Sequence, residues 1–215
     1  MRGDVVKNYQ EENLSLSEIR DGVLEGKSII YPTDTVYGLA TSMDKIEYLE
    51  KIYIIKERSS DMPLIALVDN FDKIDKIAKV TPENKNTIEK LTNKFWPGPL
   101  TIVLEKKDFV PDIMTARKKT IGIRMPNHKL ALDIIKSVGG ILPTTSANIS
   151  GEESPTSYEE LSEKIKNRVD IIVNGGVSPI AIPSTIVEIS KENNITILRE
   201  GSISKEDIEI TLGKS

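Results

Sequence analysis

Short apolar runs alternate with amphipathic stretches along most of the chain, and the period of each run predicts its element. In "LSLSEIRDGVLEGK", Leu16, Ile19, Val23 and Leu24 recur at helical spacing, Ser15 is placed to cap the first turn, and Glu18 stands at the capping-box position. "SIIY" follows as a strand. Asp44, with Glu47 three residues on, predicts a capped helix over "DKIEYLEKIYIIKER" that ends near Lys56 and Arg58, and "PLIALV" reads as the next strand. Thr81 and Pro82 open a third helix, which "FWPGP" stops. "LTIVLE" and "TIGIRM" are strands. Asn127 is predicted to cap "HKLALDIIKSV", and Gly139 and Gly140 end it. "ILPTTSANISG" is a strand running into polar residues, Ser157 with Glu160 predicts another capped helix, and "VDIIVNGG" is a strand with a glycine turn. "STIVEIS" and "ITILRE" form a hairpin around "KENN", and Ser204 starts a last helix. This alternation predicts an α/β fold: a twisted mixed, largely parallel sheet flanked by helices, closed by an antiparallel pair. No linker or repeat interrupts the 215 residues, so one domain spanning 1–215 is expected.

Composition removes several kinds of chemistry. The chain has no cysteine and one histidine, His128, which excludes disulfides, thiolate metal sites and a cysteine nucleophile and leaves little material for a zinc site or a Ser-His triad. No apolar run reaches membrane-spanning length and the N-terminus has no apolar core of a signal peptide, so a cytoplasmic protein without a membrane partner is expected. A formal charge of −4 argues against non-specific nucleic-acid binding as the main activity. No GxxxxGK[ST] or GxGxxG loop is present, so any nucleotide must be held by hydroxyls and scattered cations.

Those groups gather at strand ends. "IIYPTDT" and "GILPTTSAN" are both an apolar strand, a proline and a hydroxyl cluster, and in an open α/β sheet ligands lie beyond the carboxyl ends of the strands. Thr33, Thr35, Thr144, Thr145, Ser146 and Asn148 are thereby placed near a candidate site; the same residues taken singly also suit turns and caps. Arg58, Arg124 and Arg199 fall at or near the ends of apolar stretches in "KERSSDMPL", "IGIRMP" and "ILREG", which suggests convergence on an anion. Lys56 adds a fourth cation, and the basic run Arg117, Lys118 and Lys119 leads up to Thr120.

The blocks "YPTDTVYGLA", "KER....PL", "WPGPLTIVL", "IGIRMP", "TTSANISG", "PSTIVEI" and "LREG", in this order over about residues 15–205, resemble the YrdC-like family of threonylcarbamoyl-AMP synthases. The resemblance implies a fold with a large concave basic cavity. It implies synthesis of threonylcarbamoyl-AMP and pyrophosphate from L-threonine, bicarbonate and ATP, with Mg2+ accompanying the ATP, for N6-threonylcarbamoylation of adenosine 37 in tRNA. Carried over, it makes Thr35, Arg124, Thr144 and Ser184 threonine contacts. On the ATP side it gives Lys56, Arg58, Thr120, Ser146, Asn148, Ser154 and Arg199. Thr33, Asp34 and Met62 are further candidates, no residue is assigned as a general base, and no metal ligand is assigned. Threonylcarbamoyl transferase proteins that modify tRNA, and tRNA itself, are the implied partners. Two positions depart from the family pattern: Leu67 stands where many members carry a polar residue or histidine, and Met62 where a polar residue can face the nucleotide. The chain stops soon after "LREGSIS", so the second C-terminal domain of the two-domain members is not expected. Two other readings remain at this point, a double-stranded RNA or tRNA-binding module without catalysis and a carbamoyl-transfer domain of the hydrogenase-maturation type.

Overall fold

In the computed structural model, which describes residues 6–213, ten strands form one sheet and seven α-helices accompany it. In chain order the elements are β1 (Lys7–Gln10), α1 (Leu16–Leu24), β2 (Ile29–Tyr31), β3 (Gly38–Ala40), α2 (Ile46–Lys56), β4 (Ile65–Val68), α3 (Ile74–Ile77), α4 (Pro82–Phe95), β5 (Leu100–Glu105), β6 (Thr120–Arg124), α5 (Lys129–Ser137), β7 (Ile141–Ser146), α6 (Glu163–Lys166), β8 (Ile171–Asn174), β9 (Thr185–Ile189), β10 (Ile195–Arg199) and α7 (Lys205–Leu212). The strands lie in the order β1-β8-β2-β3-β7-β4-β6-β5-β9-β10. The sheet is mixed: β1–β8, β2–β8, β4–β6 and β5–β9 run parallel, and the other five pairings are antiparallel. No helix among the described residues is long and apolar enough to cross a membrane.

The helices follow the predicted pattern, with several ends corrected. Ser15 caps α1, but the Glu18 carboxylate does not close a capping box; it accepts from Tyr9 at 2.6 Å and Lys7 at 3.3 Å, because β1 lies beside it. The α2 helix begins one residue later than Asp44 suggested, with Lys45 at the cap and no side-chain cap bond, since the Asp44 carboxylate takes the Ser42 hydroxyl instead. Thr81 and Asn84 form a full capping box on α4. His128, not Asn127, caps α5 through Nδ1. Ser157 does accept from the Glu160 N–H at 3.3 Å, but it closes only a turn, and the short α6 starts after Ser162. β1 and the three-residue β3 were not anticipated, the latter because Gly38 reads as a turn residue and here enters the sheet opposite Ser146.

Alternation along the central strands sorts their side chains onto two faces. Leu100, Ile102 and Leu104 of β5, Ile121 and Ile123 of β6, and Val187 and Ile189 of β9 enter one core with residues of α2, α4 and α7. On the opposite face α1 and α5 bury Ile19, Val23, Leu130, Ala131, Ile134 and Ile135 against Ile29, Tyr31, Leu67 and Leu142. Those two helices cover only part of that face. Beyond them, Thr101 and Val103 of β5, Gly122 and Arg124 of β6, and Ile186 and Glu188 of β9 line a cavity. The uncovered half of one sheet face is thus the floor of the candidate site.

Candidate active site

The cavity measures about 710 Å³, within the range of small-molecule sites. Among the residues singled out from the sequence, Thr33, Thr35, Arg58, Met62, Leu67, Lys118, Thr120, Arg124, Thr144, Thr145, Ser146, Ser154, Ser184 and Arg199 line it. Four cations face it, Arg58, Lys118, Arg124 and Arg199, against two carboxylates, Asp61 and Glu188.

Arg124 ends β6 and is only 4% exposed. Its Nε donates to the Gly98 carbonyl at 3.0 Å, one Nη to the Thr35 hydroxyl at 2.7 Å, and the other Nη to Asp34 Oδ1. Burial pushes the guanidinium pKa below its ordinary value, and the Asp34 charge opposes that shift. A guanidinium has five N–H donors, so two remain beside these three, one on each terminal nitrogen. A carboxylate that met both would be held bidentately.

The hydroxyls around Arg124 have fixed directions. Thr33 donates to the Val36 carbonyl at 2.7 Å, so in its 3.2 Å contact with Thr35 the proton comes from Thr35. Thr35 also accepts from Arg124, which leaves it a lone pair and no proton to offer. Asp34 is 1% exposed and seals the turn from behind: its backbone carbonyl takes the Ile180 N–H at 2.9 Å while its carboxylate holds Arg124. Asp34 does not line the cavity.

Across the floor, Arg199 at the end of β10 donates through Nε and Nη2 to the Ser184 carbonyl at 3.1 and 2.8 Å. The Ser184 hydroxyl lies 2.8 Å from that of Thr101. On the other wall, Arg58 donates to the Thr145 hydroxyl at 3.2 Å and the Pro63 carbonyl at 3.1 Å. Burial lowers the pKa of both arginines.

Lys56 and Asn148 do not line the cavity. The fully buried Lys56 ammonium donates to the carbonyls of Ser146 and, at 2.6 Å, Asn148, and to Asn148 Oδ1 at 3.3 Å. Burial, with Arg58 nearby, lowers its pKa to about 7. Lys56 therefore holds the "SAN" turn in shape, and Ser146 completes the arrangement by donating to Asn148.

Sequence reasoning missed Ile65, Thr101 and Glu188, which share the cavity, and Tyr31, which supports it from behind through Thr144. The signal was parity: once Arg124 faces a ligand, every second residue of the paired strands does too.

The family model described as "Telomere recombination" (Sua5_yciO_yrdC) matches residues 22–201. A threonylcarbamoyl-AMP synthase of Pyrococcus abyssi is 36% identical over 89% of this chain and 55% of its own length, and one of Bacillus subtilis is 34% identical over 98% and 60%. The chain thus spans little more than half the length of these relatives. Among solved structures, P. abyssi Sua5 complexed with L-threonine superposes with a TM-score of 0.87 at 35% identity, covering 98% of this chain and 61% of that one. Escherichia coli YciO, at 22% identity, shares the fold with a TM-score of 0.80 over 95% of this chain and 99% of its own.

Proposed function

Because the chain belongs to the Sua5/YciO/YrdC family, we propose that it is a threonylcarbamoyl-AMP synthase, a nucleotidyltransferase that makes threonylcarbamoyl-AMP and pyrophosphate from L-threonine, bicarbonate and ATP. The observation that carries this reading is Arg124: a buried guanidinium at the cavity wall with a two-donor fork left open and acceptor-only hydroxyls beside it. Such a pairing suits an amino acid, whose carboxylate takes the fork and whose amine donates to Thr35. The synthase names of the relatives, and the threonine complex of the P. abyssi protein, support the same substrate.

In this reading the amine nitrogen of threonine bonds to the carbon of bicarbonate and water leaves, giving a carbamate. A carbamate oxygen then attacks the α-phosphorus of ATP while the bond to the β-phosphate oxygen breaks, releasing pyrophosphate. Lys118 and Thr120 line the cavity toward the opposite end of β6, Arg58 stands on the other wall, Arg199 lies level with Arg124 in the sheet register, and these four are the groups proposed to take the phosphate charge. Phosphoryl-type transfer rests on positioning and charge neutralisation, which fits a site without a histidine base. Among the described residues no three His, Cys, Asp or Glu gather in metal-binding geometry, so magnesium is proposed to enter as part of the MgATP substrate. The product, a mixed anhydride, requires an acceptor, proposed to be adenosine 37 of tRNA carried by threonylcarbamoyl transferase proteins.

The test is product identification: with L-threonine, ATP and 13C-bicarbonate, mass spectrometry should find threonylcarbamoyl-AMP carrying the label. Labelled adenylate absent from a folded, threonine-supplied sample would overturn the proposal.

A further inference from the structure

Two carboxylates line the cavity, and they differ in their surroundings. Asp61 is exposed on the Arg58 wall and accepts from the Ser59 hydroxyl at 3.2 Å. Glu188 of β9 stands half-buried on the sheet floor, and no ion pair among the described residues includes it. The nearest floor arginine is turned elsewhere: Arg199 gives Nε and Nη2 to the Ser184 carbonyl.

The strand register fixes where Glu188 stands. Val103 of β5 pairs with Glu188 on one side and with Gly122 of β6 on the other, so Glu188 is level with Gly122. Gly122 lies midway between Arg124 and Thr120. At about 3.3 Å per residue, Glu188 is therefore about 7 Å along the strands from the level of Arg124 and Arg199, and about 7 Å from that of Thr120. It sits among the groups proposed to take the phosphate charge, and its own charge has the wrong sign for phosphate. A carboxylate there repels a triphosphate unless a cation lies between them. Val103 and Thr196, its partners on the two neighbouring strands, carry no charge.

Of the reactants in the synthase reading, only the threonine ammonium and the magnesium of MgATP are positive. The ammonium is placed at Thr35, which follows β2 and so lies on the opposite side of β6 from β9 in the strand order. That leaves the metal. The donor chemistry fits it, because magnesium is held through one or two carboxylates together with substrate phosphates rather than by an all-protein cage. One carboxylate is too little for a resident ion, in line with the absence of a three-residue His, Cys, Asp or Glu cluster among the described residues.

We propose that Glu188 is a ligand of the magnesium ion that ATP brings into the cavity, so that the site takes MgATP and disfavours the metal-free triphosphate. This rests on the synthase reading above and adds to it a protein group that makes nucleotide binding conditional on the metal. With magnesium the carboxylate attracts the nucleotide; without magnesium it repels it.

The experiment is calorimetric ATP binding to the full chain without threonine, in excess MgCl2 and in EDTA, for the wild type, Glu188→Gln and Glu188→Asp. The wild type should bind ATP more tightly in magnesium. Glu188→Gln should bind more weakly than the wild type in magnesium and more tightly in EDTA. Each change should be about threefold or more, which is what two unit charges about 7 Å apart produce even at the dielectric of water. Glu188→Asp keeps the charge and should keep the sign of the magnesium effect. An equal loss for Glu188→Gln in both conditions overturns the proposal and gives Glu188 to a neutral donor of the nucleoside; no change in either condition overturns it too. Should Glu188→Gln not fold, the wild type decides alone: with Fe2+ and ascorbate in place of Mg2+, ATP-dependent oxidative cleavage of the chain should fall in β9. Cleavage confined to the wall at 58–62, or none, overturns the assignment while ATP binding keeps the synthase reading standing. A folded wild type that binds no ATP in either condition removes both.

Discussion

Arg124 and Asp34 form a buried ion pair in which Asp34 uses one carboxylate oxygen; the other, Oδ2, is buried with no partner among the described residues. The two side chains are 5% and 2% exposed. Burying two charges costs several kcal/mol each unless geometry and further hydrogen bonds offset it, and Gly98, Thr35 and Asp34 supply those bonds to Arg124 alone. The pair thus serves to orient the fork of Arg124 more than to stabilise the fold.

Removing one partner should be costly. Asp34→Asn keeps the shape of the side chain but leaves the Arg124 charge buried without its counter-ion, a loss of about 3–5 kcal/mol in denaturant unfolding. A loss under about 1 kcal/mol would mean that Gly98 and Thr35 suffice to hold the guanidinium.

Arg124→Lys keeps a cation and loses the fork. The expected result is a KM for threonine raised more than about tenfold with the KM for ATP moved less than about twofold, since one of two charge-assisted hydrogen bonds is lost at one substrate only. Equal rises in both constants in a steady-state assay would remove the assigned contact.

Much of this was legible in the sequence, for reasons that can be named. The helices over 82–95 and 205–212 are marked by Thr81–Asn84 and Ser204–Asp207 capping boxes, where local chemistry decides the outcome. The hydroxyl clusters after Pro32 and in β7 itself do meet at one cavity, because strand ends share an edge of the sheet. Less legible were contacts between distant parts of the chain. Glu18 was available for a capping box until Lys7 and Tyr9, on a neighbouring strand, took its carboxylate. Lys56 reads as a phosphate ligand beside Arg58, yet the last turn of α2 directs it inward to three oxygens of the "SAN" turn. Ile65 looks like any core isoleucine until the strand order puts Gly122 beside it.

Lys56 gives the fold a pH dependence of definite sign. Its folded pKa of about 7 lies below that of an unfolded lysine, about 10.4, so between these values the unfolded chain binds a proton that the folded chain has released. Its contribution to stability should therefore rise with pH from about 7 toward 10 and be lowest below 7. Urea unfolding at several pH values should show that slope in the wild type and a flatter one in Lys56→Met. Identical slopes would mean that the surrounding carbonyl oxygens keep the ammonium charged throughout.

Gly201 follows β10 at a place where the chain has no room for a side chain: a Cβ there would come within 2.2 Å of the Pro183 carbonyl oxygen and 2.8 Å of the Thr185 nitrogen. Gly201→Ala must push apart the segment that carries Ser184 and Arg199. A drop in kcat/KM of more than about tenfold, with threonine affinity by calorimetry affected less than the KM for ATP, is expected if the strain falls mainly on Arg199. Full activity with both constants unchanged would show that the segment shifts without consequence.

The most direct test of the central claim is pyrophosphate release with MgATP and bicarbonate, in the presence and absence of L-threonine, on the wild type and Arg124→Lys. The account predicts release that depends on both threonine and bicarbonate in the wild type and that Arg124→Lys recovers only at much higher threonine. Release indifferent to threonine, or none from a folded protein that binds ATP, would contradict it.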